Sequence, residues 1–400
     1  MNKLTIRRLT HAIYDFLAIK SPYLSMACFD YFKYKGNDAL FERKMDPLNQ
    51  FFNPIIAGFY PDPSFCKKGD TYYLVTSSFS VFPGVPIFTS KDLASWTQIG
   101  HVLDRPSQLN LDGLGISHGI YAPAIRFNPY NDTFYMITTS VQGIGNFYVK
   151  TSDPSLGWGD PIVLPQVTGF DPSFFFNPDG KTGYIVECAS PKGGPNYEGE
   201  RAIHLHHFDV KNDCIVGDPV EILRSGVRPE EKPIWIEGSH LYNINGFYYL
   251  SCAEGGTSLE HSQVILRSKS PLGPYEVYEN NPILTQRDLP EERNDKITST
   301  GHADMLQKND GSWWAVFLGI RPYDYEMSNT GRETFMLPVE WVNGWPIILP
   351  QGKQVPIVVD KPGLTPALRP TTGNFESFDT FDSDTLDYSW VMIRTPREEW

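Results

Sequence analysis

One segment recurs five times along the 400-residue chain, each time as an apolar run, a tight turn and an aromatic, β-branched run. The copies open at Asp62-Pro-Ser-Phe, Ala122-Pro-Ala-Ile, Asp171-Pro-Ser-Phe, Glu237-Gly-Ser-His and Gly301-His-Ala-Asp. Their turns are Gly69-Asp70, Asn131-Asp132, Asp179-Gly180, Asn245-Gly246 and Asp310-Gly311. Turn residues that tolerate positive φ, set between two runs of strand formers, are the signature of a β-hairpin. A hairpin repeated every roughly 50 to 65 residues restricts the chain to repeat architectures.

A further apolar segment follows each hairpin: Val85-Pro-Ile-Phe, Phe147-Tyr-Val-Lys, Ile203-His-Leu-His, Val264-Ile-Leu-Arg and Thr334-Phe-Met-Leu. Most copies add a short fourth, such as Trp96-Thr-Gln-Ile or Tyr275-Glu-Val-Tyr. Five units of four strands predict an all-β fold, a five-bladed β-propeller with four-stranded antiparallel blades. The repeat is longer than that of WD40 proteins and the chain has no Trp-Asp dipeptide, which disfavours a WD40-like protein scaffold. In a propeller the first strand of every blade lines the central channel, so residues equivalent in the repeat become neighbours around one ring.

Three segments are expected along the chain. Residues 1–50 lack the repeat and read as an extension outside the core fold, with Leu9, Ala12, Ile13, Phe16 and Leu17 at helical spacing. Residues 51–360 form the propeller. Residues 361–400 begin with the Pro-rich linker Lys361-Pro-Gly-Leu-Thr-Pro and continue into Phe375-Glu-Ser-Phe-Asp, which reads as the first strand of an incomplete C-terminal β-sandwich. A whole sandwich takes ~100 residues.

Aromatic residues make up 14% of the chain, which suits flat ligands that stack. The formal net charge is −13 without any Lys/Arg-rich stripe, so neither nucleic acid nor an anionic membrane is an expected partner. Cys28, Cys66, Cys188, Cys214 and Cys252 are scattered, with no metal-type spacing, and read as buried thiols. No apolar run approaches the ~20 residues that span a bilayer. Lys3, Arg7 and Arg8 precede a stretch interrupted by Asp15 and Lys20, not a clean signal sequence, so the expected location is cytoplasmic.

Three copies open on a carboxylate: Asp62, Asp171 and Glu237. Asp before Pro is a common turn starter, which explains either aspartate alone. All three at one level of the channel-facing strands point to chemistry instead. Carboxylates that converge raise one another's pKa, so one stays protonated as an acid while another stays ionised as a base. That division suits cleavage of a glycosidic bond, in which the leaving oxygen takes a proton and water attacks the opposite face.

Gly58-Phe-Tyr-Pro-Asp62-Pro-Ser, Gly169-Phe-Asp171-Pro-Ser-Phe and Ile236-Glu237-Gly-Ser-His resemble the three catalytic motifs of glycoside hydrolase family 43. Thr76-Ser-Ser-Phe79, Ser90-Lys-Asp-Leu-Ala-Ser-Trp96, Gly301-His302-Ala-Asp and Gly331-Arg332-Glu-Thr also match, and the set is similar to its β-xylosidase/α-L-arabinofuranosidase branch. The resemblance implies an inverting exo-hydrolase that releases terminal xylose from β-1,4-xylo-oligosaccharides, or arabinofuranosyl groups from arabinoxylan-derived substrates. Asp62 would be the general base, Glu237 the general acid, and Asp171 the group that raises the acid's pKa. Arg332 would contact sugar hydroxyls or close a blade by a salt bridge. Phe79 would be a sugar platform or a packing residue. His302 would bind water or a calcium shell near the axis, or be a satisfied core histidine. Tyr121 stands where relatives often have Trp, which implies a smaller stacking surface. No cofactor is required and no protein-bound metal is expected, although the family leaves room for a calcium ion near the axis. His204 and His206 share a strand face without a third ligand and read as ordinary strand residues. In relatives a loop of the sandwich closes the pocket. An endo-arabinanase of the same fold and a non-catalytic carbohydrate-binding propeller are the competing readings.

Overall fold

The computed structural model describes residues 29–324 and 327–396. The helical pattern at Leu9–Leu17 and Cys28 lie outside the described residues. Five antiparallel sheets follow in chain order. Blade one has strands Ser64–Lys68, Thr71–Val75, Gly84–Ser90 and Thr97–Leu103. Blade two has Gly119–Asn128, Thr133–Val141, Gly145–Thr151 and Ile162–Val163. Blade three has Phe170–Phe176, Thr182–Ala189, Ala202–Asp209 and Cys214–Arg224. Blade four has Glu237–Ile244, Phe247–Glu254, Ser262–Ser268 and Glu276–Val277, with Leu284–Thr285 also paired to its third strand. Blade five has Thr298–Gln307, Trp313–Ile320, Arg332–Val342 and Trp345–Ile347. The five-bladed propeller read from the repeat is the fold. The turns carry the expected backbone: Asn245 and Gly246 both have positive φ (52° and 76°), the pairing that matches the twist of a two-residue hairpin.

Apolar side chains fill the spaces between blades. Phe174 of blade three packs its ring 5.4 Å from Tyr135 and Tyr148 of blade two and 5.0 Å from Phe208. Burying each such ring contributes roughly 1.5–3 kcal/mol. One of the shared motifs is structural in this way. Within Ser90–Trp96, Asp92 accepts the Ala94 and Ser95 backbone N–H groups, and the buried Trp96 donates its Nε1–H to the Leu93 carbonyl at 2.5 Å. The ring closes where the chain enters blade one. Gln50–Phe52 pairs with Val358–Asp360, Ile55 donates its N–H to the Thr334 carbonyl, and Asn53 brackets Met336 through both its amide groups.

Each inner strand breaks register near its start, and this break positions the site. In blades two to five the shift falls between Tyr121 and Ala124, Phe170 and Ser173, Glu237 and His240, and Gly301 and Asp304. In blade one, Pro61 accepts the Ser77 N–H and ordinary pairing resumes at Ser64–Val75. The residue two positions before resumption is left-handed in every blade: Asp62 (φ 53°), Ala122 (39°), Asp171 (52°), Gly238 (55°) and His302 (50°). Asp, Gly and His tolerate that conformation better than most residues, so the backbone and the chemistry select the same residue types. The register corrects one expectation. Glu237 is not equivalent to Asp62 and Asp171; Gly238 is, and Glu237 precedes the break, level with Pro61, Tyr121, Phe170 and Gly301.

The described residues after 360 contain two short strands that do not pair with each other. Met392–Ile393 pairs with Val81–Phe82, and the Arg394 N–H donates to the Ser80 carbonyl at 2.7 Å. Glu376–Asp379 pairs with Phe32–Lys35 in a small separate unit, made of the described residues up to Gly36 with Phe375–Leu386. Within that unit Tyr31 packs on Phe378 and Lys35 meets Glu376 at 2.8 Å. Cys66, Cys188 and Cys252 are buried as expected, whereas Cys214 is exposed at the start of an outer strand, where only one face is covered.

Candidate active site

Asp62, Asp171 and Glu237 are nearly enclosed, at 5, 7 and 7% exposure; the charge of Asp62 acts on Asp171, and the charges of both act on Glu237. The contacts run around the ring in order. Arg332, at the start of a blade-five strand, donates Nη1–H to Asp62 Oδ1 at 2.9 Å, and its carbonyl accepts the Tyr60 N–H. His302 places Nδ1 3.5 Å from the same Asp62 oxygen. Its ring lies against Gly238, where a Cβ would come within 2.8 Å of it, so a side chain larger than glycine would collide. The Gly238 N–H in turn donates to the Asp171 carboxylate. The structure therefore brings together five of the residues singled out in the sequence: Asp62, Asp171, Glu237, Arg332 and His302.

Phe79 and Tyr121 form one wall. Their centroids are 4.9 Å apart, the Arg332 guanidinium lies 5.4 Å from the Phe79 centroid, and the Tyr121 hydroxyl donates to the Ser117 carbonyl. Sequence reasoning missed Phe59, which extends this wall at 5.5 Å from Phe79 and is 48% exposed. It also missed Ser77, whose Oγ–H donates to Asp62 Oδ2 at 2.6 Å while its oxygen accepts the Ala122 N–H. Both lie inside the quoted motifs, so proximity to the carboxylate was the available signal. A second wall sets Phe170, beside Asp171 in its motif, 5.9 Å from Trp235, with the Arg201 guanidinium 4.1 Å from the Trp235 centroid; Trp235 and Arg201 had no such marker. Arg201 acts electrostatically on Glu237, which places its charge near that carboxyl.

These surroundings separate the three carboxyls. Burial pushes Asp62 up, but Arg332, His302 and the Ser77 hydroxyl outweigh it and hold the group below the ordinary aspartate range. Burial pushes Asp171 up to about 6; the charge of Asp62 adds to this, while His302, Arg332 and the Gly238 N–H oppose it. Burial, then the charges of Asp171 and Asp62, drive Glu237 well above the ordinary glutamate range, against smaller pulls from Arg332 and Arg201. Near neutral pH this leaves an ionised Asp62 and a protonated Glu237 in one site.

The axis beneath the site holds a different network. Asp304 takes both Nη atoms of Arg126 at 2.7 and 2.9 Å, and also the Ser64 hydroxyl, the Phe65 N–H and the Tyr242 hydroxyl. His240 Nδ1 lies 2.9 Å from Arg126, and burial lowers its pKa to about 3. These residues do not fit calcium. The guanidinium already occupies the carboxylate oxygens a hard cation would need, and the remaining groups are one imidazole and an N–H and two hydroxyls that already donate to Asp304. Among the described residues no cluster of three or more His, Cys, Asp or Glu side chains could hold a metal. His204 and His206 each face a carboxylate, Glu221 at 3.6 Å and Glu187 at 2.7 Å, and not a shared ion.

The raised pKa of Asp171 has a cost to stability. A carboxyl whose folded pKa lies above its unfolded value loses stability as pH rises between the two, here from ~3.9 to about 6, and the loss is complete above that window. Asp171→Asn keeps an acceptor for the Gly238 N–H and removes the buried charge. It is expected to stabilise the fold at pH 7 by on the order of 2 kcal/mol, with the gain vanishing at pH 4. Thermal midpoints of both proteins at the two pH values check this. An equal gain at both would mean that the charge is not the cause.

With this geometry in place, comparison with known proteins shows what the chain resembles. It is 42% identical over 352 residues to a xylosidase/arabinosidase of Butyrivibrio fibrisolvens, covering 87% of this chain and 66% of that protein. It is 39% identical to a non-reducing end alpha-L-arabinofuranosidase of Bacteroides ovatus, covering 86% of this chain and 61% of the relative. The chain thus spans less than two thirds of the length of these relatives. A crystal structure of a GH43_12 protein retrieved from a capybara gut metagenome superposes with a TM-score of 0.83 at 47% identity, covering 92% of this chain and 68% of that one. The family model described as Glycosyl hydrolases family 43 matches residues 51–346, the propeller with its three carboxylates, and the chain belongs to that family.

Proposed function

We propose that this chain carries the catalytic site of an inverting, exo-acting glycoside hydrolase that removes a terminal pentose, xylose or arabinofuranose, from xylan-derived oligosaccharides. The observation that carries the proposal is the division of protonation states. Asp62 is held ionised by Arg332 and Ser77, and Glu237 is kept protonated by burial and by Asp171. Asp62 takes a proton from water as the water attacks the anomeric carbon, and Glu237 gives its proton to the departing glycosidic oxygen. The remaining Arg332 donors and the Phe79 face hold the terminal sugar. Arg201 on Trp235, on the side of Glu237, faces the leaving group. The names of the relatives support the pentose and the terminal position of cleavage. A non-catalytic binding propeller would have no use for holding one carboxyl ionised beside another whose burial raises its pKa at a cost to stability.

The test is hydrolysis of xylobiose and of nitrophenyl β-xyloside and α-arabinofuranoside, with the first anomer released followed by NMR. Release of inverted product from either pentoside is expected. Retained configuration would make Asp62 a nucleophile, and inactivity on all three substrates in a folded protein would remove the proposal.

A further inference from the structure

A buried ionisable pair beside the site has no part in the chemistry above. Glu187 and His206, on the second and third strands of blade three, are both 0% exposed, and His206 Nε2 lies 2.7 Å from Glu187 Oε1. Withdrawing a carboxylate from water is costly unless its oxygens are fully engaged. The fold itself does not require one here. By strand register the equivalent positions in the other blades are Thr76, Thr138, Cys252 and Phe317. Blade three alone carries a charge.

The second oxygen shows what that charge holds. Glu187 Oε2 accepts the Gly169 N–H at 2.6 Å. Gly169 is gripped on its other side by Asn146 of blade two, whose Nδ2 donates to the Gly169 and Val167 carbonyls at 2.8 Å each. A Cβ on Gly169 would lie 1.9 Å from the Cys188 carbonyl oxygen, so the two backbones are in close contact. Phe170 and Asp171 follow at once. Asp171 sits in the left-handed conformation at the register break, where pairing with the neighbouring strand is interrupted. The direction of its carboxyl therefore depends on the segment that enters the break.

We propose that Glu187, held by His206, is a positioning residue: by fixing the Gly169 N–H it sets Asp171 against Glu237 and so keeps the general acid protonated. The inference rests on the roles assigned to Asp171 and Glu237 above. The groups facing Glu187 are His206, its cross-strand partner His204, whose imidazole is turned to Glu221 at 3.6 Å, and the neighbouring Cys188. Those facing Asp171 are Glu237, Asp62, His302, Arg332, Tyr121 and Cys188.

The experiment compares Glu187→Ala and Glu187→Gln in the full chain, measuring kcat/KM against pH on xylobiose and on an activated aryl pentoside. Gln retains an acceptor for Gly169, so it should restore most of the activity. Glu187→Ala is expected to lower kcat on xylobiose about tenfold, move the basic limb of the profile to lower pH, and change the aryl pentoside much less. A purely structural role would lower both substrates together and leave the limb where it was, which would overturn the proposal. If the alanine variant does not fold, His206→Gln, which leaves Glu187 on Gly169 but removes its imidazole partner, is read at the same limb with the same two outcomes. The wild-type basic limb is the control. If Glu237→Gln leaves that limb in place, the assignment of the acid fails, and the failure lies there and not with Glu187.

Discussion

Asp62→Ala is expected to lower kcat by about 10⁴-fold on oligosaccharides and activated aryl pentosides alike. The argument is one of substitutes. Asp62 is the one carboxyl of the three whose surroundings hold it below its ordinary range, with Arg332 at 2.9 Å and Ser77 at 2.6 Å stabilising the charge. Glu237 is driven the other way by burial and by like charge and stays protonated, while Asp171, pushed up to about 6, is engaged by the Gly238 N–H and acts on Glu237, so neither takes the place of Asp62. A better leaving group does not help, because activation of the nucleophile is the step removed. Steady-state kinetics on both substrate types check this, with the thermal midpoint showing that the variant remains folded. Added azide, which needs no deprotonation, should restore turnover of the aryl pentoside with inverted glycosyl azide as product. Residual aryl activity above about 1% of wild type without azide would place the base elsewhere.

Glu237→Ala is expected to separate the two substrates that Asp62→Ala treats alike. Cleavage of xylobiose should fall by about 10³-fold, because a sugar alkoxide leaves poorly without a proton. A dinitrophenyl pentoside should lose far less, since its leaving group departs as a stable anion. The basic limb of the pH profile should vanish with the residue that titrates there, while the acid limb, set by Asp62 below the ordinary aspartate range, should persist. A parallel loss on both substrates, with the basic limb intact, would transfer the acid to another group. The two variants together assign each limb to one side chain, which neither does alone. The limbs remain properties of a coupled set, so the shift in each limb, not its absolute position, carries the assignment.

Much of the site was legible because the repeat and the chemistry share positions. Asp62 and Asp171 stand out as carboxylates at the start of an inner strand, and the left-handed break explains why Asp is tolerated there. Glu237 was legible for a partly wrong reason. It was aligned with the two aspartates, but the left-handed residue of blade four is Gly238, and Glu237 lies one position earlier. A one-residue shift in a strand reverses the side to which a side chain points, so it is the break, not simple periodicity, that allows the third carboxyl to join the other two. Trp235, Arg201 and Glu187 were not legible. None sits in an unusual sequence pattern, and each matters only through a partner distant in the chain or across a strand: Arg201 on Trp235, Glu187 under Gly169.

By itself the sequence determined the number of blades, the strands within them and the identity of the three carboxylates. These follow from local causes: turn residues that accept positive φ, alternation of apolar side chains, and acidic residues where a hairpin needs none. Only the tertiary structure decided how the surroundings of each carboxyl set its protonation. Protonation depends on burial and on charges a few ångströms away, and Arg332, Ser77, His302 and Arg201 reach the site from three different blades. The network near the axis was likewise decided in three dimensions, where Arg126 meets Asp304 across 178 positions of sequence and engages its carboxylate. Electrostatic energy depends on distance in space, and separation along the chain does not encode it.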